Sequence, residues 1–591
     1  MNTPSNLEVN PRQLLDLYLK AEYEKLSEKF IHILQYFESR PFVVLTNEEK
    51  YFIDLFMKNF LYLFTQPDYT LADSHLTQFI RLNTTISNLA KISSFGTTDP
   101  YISLLKQQPF NFVKILTLYS ARNTVDIEYN DLFSANPTLA CLWYSCFLEL
   151  YRSGLGDAQS FHRLKVHLSY SHEKLTDFYN ISDLYFGSTY IDPCLDREIK
   201  QKINRSIQIS FSGVSSQIRN QPNPKKIAII SSLWFTQHSV YRTLSRYVES
   251  LEQDYELTLV HLGVPRDNID IGPFKRAKYV AFESGALNIS SIQNNDFSVI
   301  YYPDIGMMPE SIFLANLRIA PIQICGTGHP VSTHGSEIDY FMSGADVEVA
   351  VGAEAHYSER LVLLPGFGAI HNPPDYQRQG ITKERPELII NCSWFSQKVN
   401  YAMLCILSDI LQSGRKPLLF RFFSGSSLML KNDYLAFASD LKAMLGEKHF
   451  ELIPAKPYIE YMTIMEEGDF CLEAYPFGGS NTVADSLYLG KPTIAFEGQK
   501  WFNRIGSQML RSAGFPELIA TNTQTYIELA LKLIHDDSYR SGLQHRLDST
   551  DLNNTIFSDK AAPAFKRAID LLIRDHEQLK QDLVRRPIQI F

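Results

Sequence analysis

The stretch Glu473 to Gly498, EAYPFGGSNTVADSLYLGKPTIAFEG, combines residue types and spacing suited to binding an anion. A strand end runs into Gly478, Gly479, Ser480, Asn481 and Thr482, small residues placed where a helix begins. The first N–H groups of a helix have no acceptor inside it and lie at the positive end of its dipole. They therefore hold phosphate oxygens. Asp485, one turn further in, suits a sugar or ribose hydroxyl. Gly490, Lys491 and Pro492 then stop the helix before the apolar run Thr493 to Phe496. Gly-rich turns are common in α/β proteins, so this stretch alone decides little.

Three further clusters add weight. In SLWFTQHSVYRTLSRYV, His238 and Ser239 stand where a strand gives way to a helix, and Arg242 follows about one turn later. A histidine there orients or deprotonates an acceptor, or bonds a donor's phosphates. The competing reading is an imidazole that bonds the start of its own helix. In APIQICGTGHPVSTHGSEIDYFM, a buried strand leads into Gly326, Gly328, His329, Pro330, Ser332, Thr333 and His334, with Asp339 beyond. Small and hydroxyl-bearing residues let a ligand approach the backbone, and one of the two histidines is expected to be structural. In INCSWFSQKVNYAMLCILSDIL, Lys398 is read at a helix start, where a cation neutralises a diphosphate leaving group. A solvated lysine is the alternative.

The elements that must position these residues fall into three regions. From Pro11 to about Ser210 the pattern is helical and aromatic, with apolar residues at three- and four-residue spacing in LLDLYLKAEYEKLSEKFIHILQYF and YFIDLFMKNFLYLF. Further helical runs cover Tyr101 to Ser120 and Thr138 to Arg152, and no 34-residue repeat emerges. NQPNPKK, Asn220 to Lys226, reads as a linker. Short apolar strands then alternate with helices: KIAIISSLW, YELTLVHLG, KYVAFES, FSVIYYPD, PIQICG, IDYFMSG and RLVLLPG. After a second interruption, Gly368 to Pro386, the same grammar returns in ELIINCSWF, KPLLFRFFSG, FELIPAKP, GDFCLEAYPF, KPTIAFEG and ELIATNT. Buried parallel sheets read this way. The expected division is an all-α domain at 1–219, one Rossmann-like domain at 220–385 and a second at 386–591, with a ligand cleft between two facing sheets. A last helix, Pro563 to Leu583, is long enough to pack back across the pair.

Bulk properties exclude several classes. The 591 residues are 45% apolar and 20% charged, as in globular proteins, and the formal net charge of −9 gives no electrostatic case for nucleic acid. No basic start followed by an apolar run marks a signal peptide, and no apolar stretch is long enough to span a bilayer. Seven scattered cysteines fit reduced thiols in a cytoplasmic protein. Neither the His/Cys spacings nor any Asp-x-Asp at a strand end suggests a bound metal.

TQHSVYRTLS, the run IYYPDIGMMPESIFLANLRIAPIQICGTGHPVSTHGSEIDY and PFGGSNTVADSLYLG together resemble the O-GlcNAc-transferase-like glycosyltransferase family, over roughly residues 222–560. The closest likeness is to its bacterial branch of cytoplasmic protein N-glycosyltransferases, which modify adhesins, and the helical region looks like that branch's all-α domain. The resemblance implies a GT-B fold, a UDP-sugar donor, no cofactor, and inverting, metal-independent transfer of a hexose to a protein side chain, asparagine favoured. It implies that Lys398 contacts the diphosphate, Asn481 and Thr482 lie at the diphosphate-binding helix start, Asp485 lies near the ribose, and His238 lies near donor and acceptor. It also places Gly328, His329 and Pro330 along the same cleft. The chain departs from the bacterial branch where it has FGGSNT in place of an FGNTNG-like sequence, and KWFNR in place of a His-rich HEH segment. These departures leave open UDP- or GDP-linked donors, the sugar, and asparagine or Ser/Thr acceptors. A GT-B enzyme acting on a small glycan and a non-catalytic binding protein are the other readings.

Overall fold

The computed structural model describes residues 10–39, 45–108, 111–147, 157–211, 221–264, 268–381, 385–423 and 432–591. The chain forms two compact units. One comprises Met1–Ile191, Trp394–Ser408 and Arg421–Lys456; the other comprises Asp192–Ser393, Asp409–Phe420 and Pro457–Phe591.

The first unit is mostly helical. Its longest helix, Asn47–Phe64, starts with a reciprocal cap: the Glu49 N–H donates to Thr46 Oγ1 at 3.1 Å, and the Thr46 N–H to Glu49 Oε2 at 2.8 Å. Its buried face carries Ile53, Phe56, Phe60 and Phe64, and Phe30 meets Phe60 edge-to-face at 5.1 Å. The run read from Leu14 to Phe37 is two helices, Pro11–Leu19 and Tyr23–Ser39, because the chain turns at Lys20 to Glu22 with Ala21 at φ 53°. The run read from Tyr101 to Ser120 likewise splits into Asp99–Lys106 and Phe112–Leu118. The helix from Thr138 is described over Pro137–Phe147, and its expected end at Arg152 lies outside the described residues. Helix Asn83–Ile92 packs on helix Asn432–Leu445, and the Asp440 carboxylate, 1% exposed, is held there by Arg122 at 2.8 Å and Lys91 at 3.3 Å.

The second unit carries most of the parallel strands, while the strand residues 421–423 and 450–453 belong to the first. The strands are β1 (Asn223–Ser231), β2 (Glu256–Leu262), β3 (Arg276–Glu283), β4 (Ala286–Asn288), β5 (Phe297–Tyr302), β6 (Ile322–Cys325), β7 (Tyr340–Gly344), β8 (Arg360–Leu364), β9 (Leu388–Cys392), β10 (Leu418–Phe423), β11 (Phe450–Ile453), β12 (Phe470–Leu472), β13 (Thr493–Phe496), β14 (Ile519–Ala520) and β15 (Ile588–Gln589). The first sheet has the order β15-β8-β7-β6-β5-β1-β2-β3-β4, parallel except for the β3–β4 hairpin. The second has the order β11-β10-β9-β12-β13-β14. Strand β1 begins at Asn223, inside the stretch read as a linker, because the Asn223 N–H bonds the Asp296 carbonyl and the strand pairs with β5 across a register shift. Asn220 itself lies outside the described residues.

Continuous apolar strands bury both faces of the first sheet. Helix Ser239–Glu249 covers one face with Val240, Leu244, Tyr247 and Val248, and helix Ala562–Gln581 joins the same core through Phe565, Ala568, Ile569 and Leu572. Burying a side chain such as Phe565 fully contributes about 1.5–3 kcal/mol. Past that helix the chain adds β15 to the open edge of β8, with Ile588 opposite Val362. The sequence indicated the helix but not this returning strand.

Among the described residues no helix is long and apolar enough to cross a membrane. None of the seven cysteines forms a disulfide.

Candidate active site

Helix Asn481–Tyr488 follows β12 through an eight-residue turn whose own bonds are tight. The Gly478 N–H donates to the Phe502 carbonyl at 2.8 Å and the Gly479 N–H to Glu473 Oε1 at 2.9 Å. A Cβ on Gly478 would stand 2.4 Å from Glu473 Oε1, so only glycine fits between that carboxylate and Phe502. These two amides, expected to face a ligand, are therefore committed to shaping the turn. The amide hydrogens of Ser480, Asn481 and Thr482 have no acceptor among the described residues. They are open donors at the positive end of the helix dipole. At its other end the Gly490 N–H bonds Leu487 O and the Lys491 N–H bonds Ser486 O, with Gly490 at φ 70°, the paired closure that glycine permits.

The N-terminus of helix Ser239–Glu249 meets this helix start. Asn481 Nδ2 donates to the Ser239 carbonyl at 3.2 Å, and Asn481 Oδ1 is left buried without a partner. His238 is the N-cap of the Ser239 helix, its Nδ1 accepting from the Val240 N–H at 3.2 Å. A neutral imidazole with Nδ1 so occupied carries its proton on Nε2 and donates there. The competing sequence reading, a histidine bonding its own helix, thus describes one ring nitrogen and leaves the other as a donor.

Arg242 and Asp485 face each other between the two helices, with Nη2 to Oδ1 at 2.7 Å and Nη1 to Oδ2 at 3.3 Å. Tyr458 adds a hydroxyl to Asp485 Oδ1 at 2.9 Å and its ring lies 4.8 Å from the guanidinium. Burial opposes the Arg242 charge, but the pair with Asp485 outweighs it and raises the guanidinium pKa. The aspartate expected beside a ribose is, in this structure, the anchor of an ion pair between two helices.

The GHPVSTH loop is held rigidly. The Gly328 N–H bonds the Pro303 carbonyl at 2.9 Å, and a Cβ there would lie 2.6 Å from that oxygen and 3.1 Å from Val240 Cγ2. His329 is 1% exposed, with Nδ1 donating to Ile305 O at 3.1 Å and its ring 6.4 Å from that of Phe477. Burial, aided by Lys200, holds its pKa well below the ordinary value. Pro330 is buried beside it. Ser332 Oγ and the Thr333 N–H both donate to the Glu359 carboxylate, and Lys200 Nζ bonds the Ser332 carbonyl at 2.9 Å. His334, at φ 50° and 8% exposed, is pushed down to about 2 by burial and by Lys200. Both histidines of the loop are buried.

Lys398 belongs to the other unit. It ends a short 3-10 turn, Ser396–Lys398, packed on helix Ile181–Ile191, and is half-buried. The α-helix read as beginning at Lys398 begins at Tyr401, because Val399 is extended and Asn400 Oδ1 takes the Met403 N–H at 3.0 Å. One residue escaped the sequence reading altogether: His371, buried, with Nε2 2.8 Å from Ser480 Oγ. Its only sequence signal is its position just before Asn372-Pro373-Pro374, where the chain leaves the first sheet. Among the described residues no group of three or more His, Cys, Asp or Glu could hold a metal ion.

Residues 448–564 match the model of glycosyl transferase family 41. The chain is 23% identical over 540 residues to a UDP-glucose:protein N-beta-glucosyltransferase of Actinobacillus pleuropneumoniae serotype 5b, covering 85% of this chain and 86% of that one. A shorter match, 24% over 240 residues, joins 39% of this chain to 25% of a probable UDP-N-acetylglucosamine--peptide N-acetylglucosaminyltransferase, SPINDLY, of Petunia hybrida. In three dimensions the chain shares its fold with an O-GlcNAc transferase variant from Thermobaculum terrenum: TM-score 0.57, 17% identity, 98% of this chain and 99% of that one. With its two parallel sheets and helical N-terminal region, the chain has the GT-B fold and resembles the O-GlcNAc-transferase-like inverting glycosyltransferases, most extensively their bacterial protein N-glycosyltransferase branch.

Proposed function

We propose that this protein transfers a hexose from a UDP-sugar to a side chain of an acceptor protein, with inversion at the anomeric carbon and asparagine as the favoured acceptor. The observation that carries the reading is the meeting of two helix starts, marked by the Asn481–Ser239 bond, with three unused amides and an orphaned Asn481 oxygen at the same place. Two positive dipole ends suit a diphosphate. The long similarity to a UDP-glucose:protein N-beta-glucosyltransferase favours a UDP-sugar donor and a protein acceptor.

In this reaction the acceptor nitrogen attacks the anomeric carbon from the side opposite the diphosphate. The new C–N bond forms as the C–O bond breaks, the electron pair leaves on the UDP oxygen, and the proton released from the acceptor nitrogen passes to the departing diphosphate. Residues 480–482 stabilise that developing charge, and the resemblance assigns the same task to Lys398. His238, donating from Nε2, orients an oxygen of donor or acceptor. Gly328, His329 and Pro330 form one wall of the donor cleft, and Gly478 and Gly479 shape its floor. No metal or cofactor takes part. The acceptor is a protein of the adhesin type and the reaction is cytoplasmic. A second reading, transfer to Ser or Thr, is favoured by the similarity to SPINDLY proteins.

The test is incubation of the purified protein with UDP-glucose, UDP-galactose, UDP-GlcNAc and GDP-sugars, using Asn- and Ser/Thr-bearing peptides. Intact and fragment masses then give sugar and attachment atom. An Asn–hexose adduct whose rate is unchanged by EDTA is expected. Donor hydrolysis without a peptide adduct would overturn the protein acceptor, and loss of rate with EDTA would overturn metal independence.

A further inference from the structure

A serine at a helix N-cap ordinarily turns its hydroxyl onto an amide of its own first turn, occupying the place an anion would take. Thr46, Asp157, Asn522 and Asp536 bond the starts of their own helices in this way, whereas Thr98 and Asn111 bond elsewhere. Ser480 belongs with the latter. It makes no side-chain bond to helix Asn481–Tyr488, its backbone lies at φ −114° and ψ −80°, and its Oγ sits 2.8 Å from His371 Nε2.

His371 is fixed to hold it there. The residues on either side are tied to helix Ser239–Glu249, with the Ile370 N–H on Thr243 O at 2.8 Å and the Asn372 N–H on Arg242 O at 2.7 Å. The ring is 1% exposed, and its Nδ1 is buried without a partner. We infer that His371 is a positioning residue: by taking up the Ser480 hydroxyl it prevents self-capping and keeps the amides of residues 480–482 open to the donor diphosphate. Burial, and then the Arg242 charge, push the imidazole down to about 3, so the bond is made by a neutral ring throughout the working pH range.

The inference rests on the proposed diphosphate site, and its test separates the two. UDP is titrated calorimetrically into the full-length wild type, His371→Ala, Ser480→Ala and the double variant, with thermal unfolding recorded for each. His371→Ala frees Ser480 to cap its helix, and UDP affinity falls about tenfold, the weight of one strong hydrogen bond. Ser480→Ala keeps the backbone amide assigned to the diphosphate but has no hydroxyl to turn inward, so it binds UDP more tightly than His371→Ala. The double variant recovers to the Ser480→Ala level, a rescue that a merely structural histidine would not produce. In turnover, His371→Ala raises the donor KM and leaves kcat nearly unchanged. If the alanine variant unfolds, His371→Phe, which packs but cannot bond, replaces it in the single and the double variant. A double variant as weak as the single histidine variant overturns the positioning role, and so does wild-type affinity in His371→Ala. A wild type that binds no UDP overturns the underlying reading as well.

Discussion

His238 Nδ1 is engaged by the helix it caps, and that bond bears on the role proposed for it in turnover. An imidazole serving as base would give kcat/KM an ascending limb near its ordinary pKa of about 6.5. The expected profile has no such limb. A limb that disappears in His238→Ala would instead make His238 the base. Lys398→Ala removes the cation assigned to the leaving group, and kcat is expected to drop about a hundredfold. Single-turnover measurement with UDP-glucose checks this, and a wild-type rate would remove Lys398 from the mechanism. At this scale the sequence was partly legible. The residue types around helix starts were visible, because local spacing places them. His371 was not, because its partner lies 109 positions away and a lone histidine before two prolines carries no periodic signal.

Helices Ser239–Glu249 and Asn481–Tyr488 belong to different sheets and are joined by the Arg242–Asp485 pair, whose carboxylate side chain is 3% exposed. Removing one partner of a buried pair strands the other, at a cost of about 3–5 kcal/mol. Asp485→Ala is therefore expected to lower the urea midpoint sharply, whereas Arg242→Met with Asp485→Leu recovers much of the loss. Equal stability of single and double variants would show that the pair does not join the helices. Both helices could be read from their 3.6-residue pattern and small-residue starts. The ion pair could not, since nothing local connects positions 243 residues apart. Strand β4, three residues long, and β15, two residues long, were missed for a related reason: so short a run has no alternation to detect.

Across the whole molecule, buried histidines set the response to acid. His167 and His371 are pushed down to about 3 and His334 to about 2, each chiefly by burial. Between about pH 6.5 and those values the unfolded chain binds protons that the folded chain refuses, so stability falls as pH falls. Each histidine adds up to about 1.4 kcal/mol per pH unit. Asp304, pushed up to about 7 by burial, and Glu348, also raised by burial, work in the opposite sense, while His329, His356 and His576, likewise lowered, act with the three histidines. Urea midpoints are expected to decline from pH 7 to pH 5, and His167→Phe to flatten the decline. A midpoint that rises toward pH 5 would contradict this assignment.

Protein synthesis meets the first sheet in an awkward order. Strands β1 to β8 leave the ribosome with an apolar face whose cover, helix Ala562–Gln581, is translated roughly 200 residues after β8. At about 5–20 residues per second that delay lasts about 10–40 s. Throughout it, Ile229, Leu259 and Val299 lack their partner Phe565, and the edge of β8 lacks β15. The nascent chain is thus a natural client for chaperones, and a premature stop codon between residues 549 and 561 would keep every residue assigned to donor binding in the chain while leaving the first sheet without its cover.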